Sequence, residues 1–286
     1  VAFEIDPNTI PESEYVVVKD GHLSVNGHRQ RYWAAVGKVY ANANVKPGES
    51  DVQIRHKVEL AHKSTDIILD RLQEMGFNSV RFWDGFIDVQ YKKGDGSSAD
   101  CADYFVSEAK KRGFKIWVAG MNRTGKITAN DVGIIDDPDT EKAWSRAVTE
   151  IMQANNQSKD GWELRNNPAV FWDARLETLA TVNKQKIAQH FNQHTGLRWC
   201  DDPVFGIWEL SNEEWWIRRM LSGSWQKLPD FFRQELFAKW HQFLLEKYKT
   251  QVNLEKVWGQ LLPGENLNSK PFFLPQWQKQ PQPEFL

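Results

Sequence analysis

Residues 205–216 read FGIWELSNEEWW. The run Val204 to Leu210 is short and almost continuously apolar, the pattern of a parallel strand buried on both faces. It ends abruptly in Ser211, Asn212 and Glu213. In a barrel of parallel strands, the residues just past each strand's carboxyl end line the working face. A carboxylate there is costly to bury unless it is paired or functional. Neighbouring Trp215 and Trp216 would raise the pKa of Glu213, as a general acid requires. The alternative is a solvated loop carboxylate beside Glu214, and the segment by itself leaves both open.

Upstream, the pattern repeats. Arg31 to Val36 is a short apolar run with strand character. Ser64 to Met75 has helical spacing, with Ser64 as N-cap and Gly76 as its end. Phe77 to Trp83 follows at once as a strand. Asp100 to Arg112 is again helical and stops at Gly113, and Phe114 to Ala119 is the next strand. Helix, glycine, strand, twice in succession, predicts a parallel sheet built from βα units. A long insertion, Gly120 to Asn167, holds a helix near Thr140 to Asn155. Arg175 to Phe191 and Phe231 to Tyr248 read as helices, and Leu254 to Trp258 as a short helical turn.

The expected organisation is a lead-in with a hairpin over 1–29, the N-terminal part of a catalytic barrel over 30–262, and over 263–286 a Pro- and Gln-rich tail or the start of the barrel's remainder. The fold class expected is a (β/α)8 barrel of which about four β/α units are evident. A whole barrel typically needs roughly 250 residues, so the 286 residues permit one, but the chain after Leu210 supplies helices and no clear strand.

Composition narrows the function. A net charge of -2 gives no electrostatic case for nucleic acid or an anionic membrane. No apolar run approaches the roughly 20 residues of a membrane span. Cys101 and Cys200 allow one bridge or two free thiols, and make no metal pair. His190 and His194 have metal-ligand spacing on the expected helix, but no acidic third ligand completes a motif. The 14 Trp are an excess. Each offers a flat apolar face and one N–H donor, which suits the C–H faces of sugar rings.

Three groups of motifs carry a resemblance. They are Thr195-Gly196-Leu197, Asp201-Asp202-Pro203 and Trp208-Glu209-Leu210-Ser211-Asn212-Glu213; Gly76 to Trp83 (GFNSVRFW); and Val25-Asn26-Gly27 with Arg31-Tyr32-Trp33. In that order they resemble the fourth-, second- and first-strand regions of clan A glycoside hydrolases, most closely the family 5 type related to cellulases and mannanases. The likeness spans about residues 20 to 260.

The resemblance implies a retaining glycosidase acting on β-linked poly- or oligosaccharides. Glu213 would be its acid/base. Asn212 would hold a sugar hydroxyl beside the reacting carbon. Arg81 would orient the opposite carboxylate, although a buried ion pair with Glu209 is the competing reading. Trp83, Trp215 and Trp216 would be sugar platforms, with core packing the alternative for either of the adjacent pair. Asn122 follows the third strand and so faces the expected cleft, as a sugar contact or as a cap of the loop. No metal or organic cofactor is implied. The expected partner is the carbohydrate, and the expected location secreted or periplasmic. The clan's nucleophile, a Glu ending the seventh strand, is not evident. Glu235, Glu246, Glu255, Glu265 and Glu284 all fall in helices or the tail. The expectation is that the C-terminal half of the barrel, as the rest of the same polypeptide or as another subunit, supplies it. A glycan-binding protein that kept the barrel and lost the chemistry is the alternative.

Overall fold

The computed structural model describes residues 10–37, 39–122, 126–127, 142–147, 149–150, 162–163, 168–212, 223–261 and 263–268. The chain divides into two compact units, 1–123 with 182–212, and 124–181 with 213–286.

The first unit opens with an antiparallel meander, β1 (Val17–Lys19), β2 (His22–Val25) and β3 (His28–Arg29). Asp20 and Gly21 turn the first hairpin with positive φ, as the Asp-Gly pair predicts. Then come β4 (Ala34–Val36), α1 (Asp51–Glu74), β5 (Ser79–Phe82), α2 (Ser98–Lys111) and β6 (Lys115–Val118). In the other unit, β7 (Lys126–Ile127) pairs antiparallel with β8 (Trp162–Glu163). The helix α3 (Ala174–Ala188) crosses the point of division and returns the chain to the first unit. There β9 (Phe191–Asn192) and β10 (Leu197–Arg198) form a small hairpin ahead of β11 (Phe205–Trp208).

Strands β4, β5, β6 and β11 form one four-stranded sheet in that order, parallel at every pairing. The fold is therefore mixed α/β around a parallel sheet, with each of the four strands inside its predicted segment. Among the described residues the sheet is open, and β4 and β11 are its edges.

The core lies on one face of this sheet. Val80, Phe82, Ile116, Val118 and Phe205 pack against Leu69 of α1 and Phe105 and Val106 of α2. Phe82, Phe105 and Ile116 are fully buried, each contributing about 1.5–3 kcal/mol of transfer free energy. Period-two alternation turns Ser79 and Arg81 of β5, and Lys115 and Trp117 of β6, to the opposite face.

Two helix boundaries differ from the sequence reading. Ser64 does not cap α1. It lies inside the helix, with its hydroxyl donating back to the Leu60 carbonyl. The helix starts at Asp51, where Ser50 and Gln53 make a reciprocal capping box. Its buried stripe is narrow, Val58, Ala61, Thr65 and Leu69, while Val52, Leu60 and Ile67 face solvent, which blurs the periodicity. The helix α3 ends at Ala188, so His190 and His194 are not helical neighbours. Both cysteines are free.

In the second unit, α4 (Asp230–Tyr248) and α5 (Gln251–Trp258) follow a short 3-10 turn. Trp144, Trp172, Leu176, Trp225 and Phe232 form a separate core there. Several of the excess Trp are thus packing residues.

Candidate functional site

A bulge in β11 decides what reaches the site. Phe205 pairs with Ile116, but Ile207 pairs with Trp117 and Trp208 with Val118, so the register slips at Gly206. Strict alternation from the buried Phe205 would send residue 209 into the core. The extra residue reverses that phase. Trp208 packs on the core, and Glu209 turns to the face of Arg81 and Trp117. The Glu209 amide donates to the Val118 carbonyl at 2.9 Å, extending the ladder one residue past the strand. Gly206 lets the lead-in pack closely on the bulge, because a Cβ there would lie 2.8 Å from Val16 Cγ2 and force it to shift. Val16 belongs to a lead-in that covers the amino end of the sheet. There Lys115 Nζ donates to the carbonyls of Glu14 and Pro203, and the Tyr15 hydroxyl donates to the Asp201 carbonyl.

At the carboxyl end, Arg81 donates from Nε to Glu209 Oε2 at 2.9 Å and from Nη2 to Glu209 Oε1 at 2.5 Å. Nη2 also donates to Asn212 Oδ1 at 2.7 Å. The guanidinium carbon lies 4.3 Å from the Trp83 ring centre and 5.0 Å from that of Trp117. Cation–π contacts of this kind add about 0.5–2 kcal/mol each and hold the guanidinium by its faces. Nη1 meets no acceptor among the described residues.

The loops leaving β5 and β6 are keyed together beside this cluster. A Cβ on Gly120 would lie 2.2 Å from the Asp84 carbonyl oxygen, so only glycine fits there. The Tyr40 hydroxyl donates to Asp84 Oδ2 at 2.5 Å.

The structure therefore brings together Arg81, Trp83 and Asn212 of the residues named from sequence. It makes the Arg81–Glu209 pair, which the sequence offered as the competing role of Arg81. Asn122 closes a 3-10 turn, Gly120–Asn122, just after β6. Glu213, Trp215 and Trp216 lie outside the described residues. Sequence reasoning overlooked Trp117, Tyr40 and Asp84. Trp117 was open to it, because Trp117 alternates with the core residues Ile116 and Val118 within its strand.

The two histidines belong to a buried polar network behind the sheet. Asp103, wholly buried, accepts from Trp199 Nε1 at 3.1 Å and the Tyr91 hydroxyl at 2.6 Å, and its Oδ2 lies 2.8 Å from His190 Nε2. Asp100 accepts from the Gly94 and Gly96 amides and lies 2.8 Å from His194 Nε2. Burial pushes Asp100 upward, but His194 and those amides outweigh it and hold the carboxyl below its ordinary range. Burial also pushes the Tyr91 hydroxyl far up. Each histidine thus has its own carboxylate partner. Among the described residues, no three His, Cys, Asp or Glu side chains are grouped to hold a metal ion. No described helix is long and apolar enough to cross a membrane.

The chain matches no family model and no curated protein sequence. Among solved structures it is similar to a glycoside hydrolase family 5 mannosidase from Rhizomucor miehei, over 84% of this chain and 70% of that one, at 11% identity and a TM-score of 0.42. A likeness of that degree fixes neither family nor activity.

Proposed function

We propose that this protein is a retaining β-glycosidase whose acid/base is Glu213. The observation that carries the reading is the clamp of Arg81, Glu209 and Asn212 at the carboxyl end of a parallel sheet, immediately before Glu213 in the chain. It supports the resemblance drawn from the motifs, because the arginine of the second strand and the asparagine of the fourth meet. In this reading Glu213 protonates the glycosidic oxygen while a second carboxylate attacks the anomeric carbon. Glu213 then takes a proton from the water that releases the sugar. Arg81 offers Nη1 to that second carboxylate. Trp83, Trp215 and Trp216 stack on sugar rings, and Asn122 adds a polar contact.

The second carboxylate belongs to a segment that extends the open sheet towards a (β/α)8 barrel. In retaining chemistry it stands about 5 Å from Glu213. The described Glu235, Glu246 and Glu255 lie on helices, and none ends a strand. That observation favours the second reading, a glycan-binding protein without turnover. The experiment is hydrolysis of nitrophenyl β-glycosides and β-linked polysaccharides by the protein and by Glu213→Gln. Turnover that Glu213→Gln abolishes is expected. Turnover that survives the substitution removes Glu213 from its role, and saccharide binding without turnover establishes the second reading.

A further inference from the structure

We infer that Glu209 is a positioning residue that, through Arg81, fixes which face of the Asn212 amide meets the substrate; its kinetic consequence rests on the glycosidase reading above. The argument begins with donors and acceptors. An arginine side chain only donates. The atom of Asn212 that faces Arg81 Nη2 at 2.7 Å must therefore be the carbonyl oxygen. This leaves Nδ2 directed elsewhere as a donor, and it makes no hydrogen bond among the described residues. A sugar hydroxyl held by Asn212 is then held as an acceptor. A flipped amide would present the wrong atom.

Arg81 can enforce that choice only if it is itself fixed. Its Nε–Nη2 edge is bound by both Glu209 oxygens, a fork on a fork that sets the rotation of the guanidinium within its own plane. The Trp83 and Trp117 rings hold its faces without setting that rotation. Glu209 is therefore the in-plane anchor. It is not a packing residue: the bulge at Gly206 turns it away from the core. Nor is it placed as the acid, since both its oxygens are engaged by one guanidinium. The clamp ties the second strand to the fourth at the level where the reacting bond would lie.

The test compares Glu209→Gln, which keeps the shape but loses one acceptor and the charge, with Glu209→Asp, which keeps both at a shorter reach. On whichever nitrophenyl β-glycosides the unaltered protein hydrolyses, Glu209→Gln should lower kcat/KM by about 10- to 100-fold, the usual scale for residues that orient a contact group. The loss should fall on kcat, and the limbs of the pH profile should stay in place. Glu209→Asp should retain more activity than Glu209→Gln; a packing role predicts the reverse order. In parallel, the Asn212 side-chain amide is followed by 15N NMR, assigned by its absence in Asn212→Ala. It should be ordered in the unaltered protein and mobile in Glu209→Gln, with the core signals unchanged. If Glu209→Gln leaves the Asn212 amide or kcat/KM as it was, the inference is overturned. If the unaltered protein hydrolyses no glycoside, the glycosidase reading fails, and the amide measurement alone decides the clamp.

Discussion

Arg81 and Glu209, 128 residues apart in the chain, meet edge to edge through two hydrogen bonds of 2.9 and 2.5 Å. Both side chains are mostly shielded, with 19% and 14% of their surface accessible. A pair so shielded is worth little against an apolar replacement of both partners but costs much when one is removed. Arg81→Met should therefore destabilise the protein by about 1–3 kcal/mol, chiefly by leaving Glu209 unpaired. The double variant Arg81→Met with Glu209→Leu should recover most of the loss. Urea unfolding of the unaltered protein and the two variants measures both quantities, and equal losses in the single and double variants would contradict the account.

At Gly206 the expected outcome depends on Val16. Gly206→Ala places a methyl 2.8 Å from Val16 Cγ2, which forces the lead-in to shift at a cost of about 1 kcal/mol or more. Adding Val16→Ala should relieve the clash, so the two substitutions should couple in a double-mutant cycle. Additive losses would show that the lead-in does not sit on the bulge.

Asp103 is a wholly buried carboxylate of the first unit, with the side chains of Tyr91, His190 and Trp199 all within hydrogen-bond distance of its two oxygens. Asp103→Ala should cost about 3–5 kcal/mol, since it strands three buried polar groups at once. Thermal melts followed by near-ultraviolet circular dichroism, which sees Trp199 directly, would register the loss.

Glu235 gives the second unit a pH dependence. Burial, then the nearby Asp173 carboxylate and a hydrogen bond with it, raise Glu235 to about 7, against the pull of its ion pair with Arg175. An acid whose pKa is raised on folding adds stability below its unfolded value, near 4.5, and loses it as pH climbs to the folded one. Melting temperature should therefore fall between about pH 4.5 and pH 7 through this group, and Glu235→Gln should flatten that part of the curve. A wild-type profile unchanged by the substitution would refute the assignment.

The parallel strands were legible because they are short apolar runs, two of them, β5 and β6, directly after helices ended by Gly76 and Gly113, and each lies within its predicted segment. The start of α1 was legible in principle: Ser50 and Gln53 carry the spacing of a capping box. Ser64 drew attention instead because the first turns of the helix expose Val52 and Leu60 and so lack a clean stripe. The helical reading of His190 and His194 failed because α3 stops at Ala188, where nothing as explicit as Gly76 or Gly113 marks the end. The meeting of Arg81 with Glu209 was visible only as one of two roles for Arg81. Settling it required the one-residue slip at Gly206, which an apolar run conceals because glycine interrupts no hydrophobic pattern.

The seat of Gly120 beneath the Asp84 carbonyl bears on how such a site can be varied. Loops on the rim of a parallel sheet are commonly regarded as separate cassettes, each free to change length and composition. Here the cassettes after the second and third strands are interlocked by backbone, with no side chain to trim as compensation. A transplant of either loop alone from another protein would bring a residue that cannot enter the seat, or a carbonyl that no longer covers it. The two would have to be exchanged as one piece, and new specificity along this part of the rim would come in paired steps.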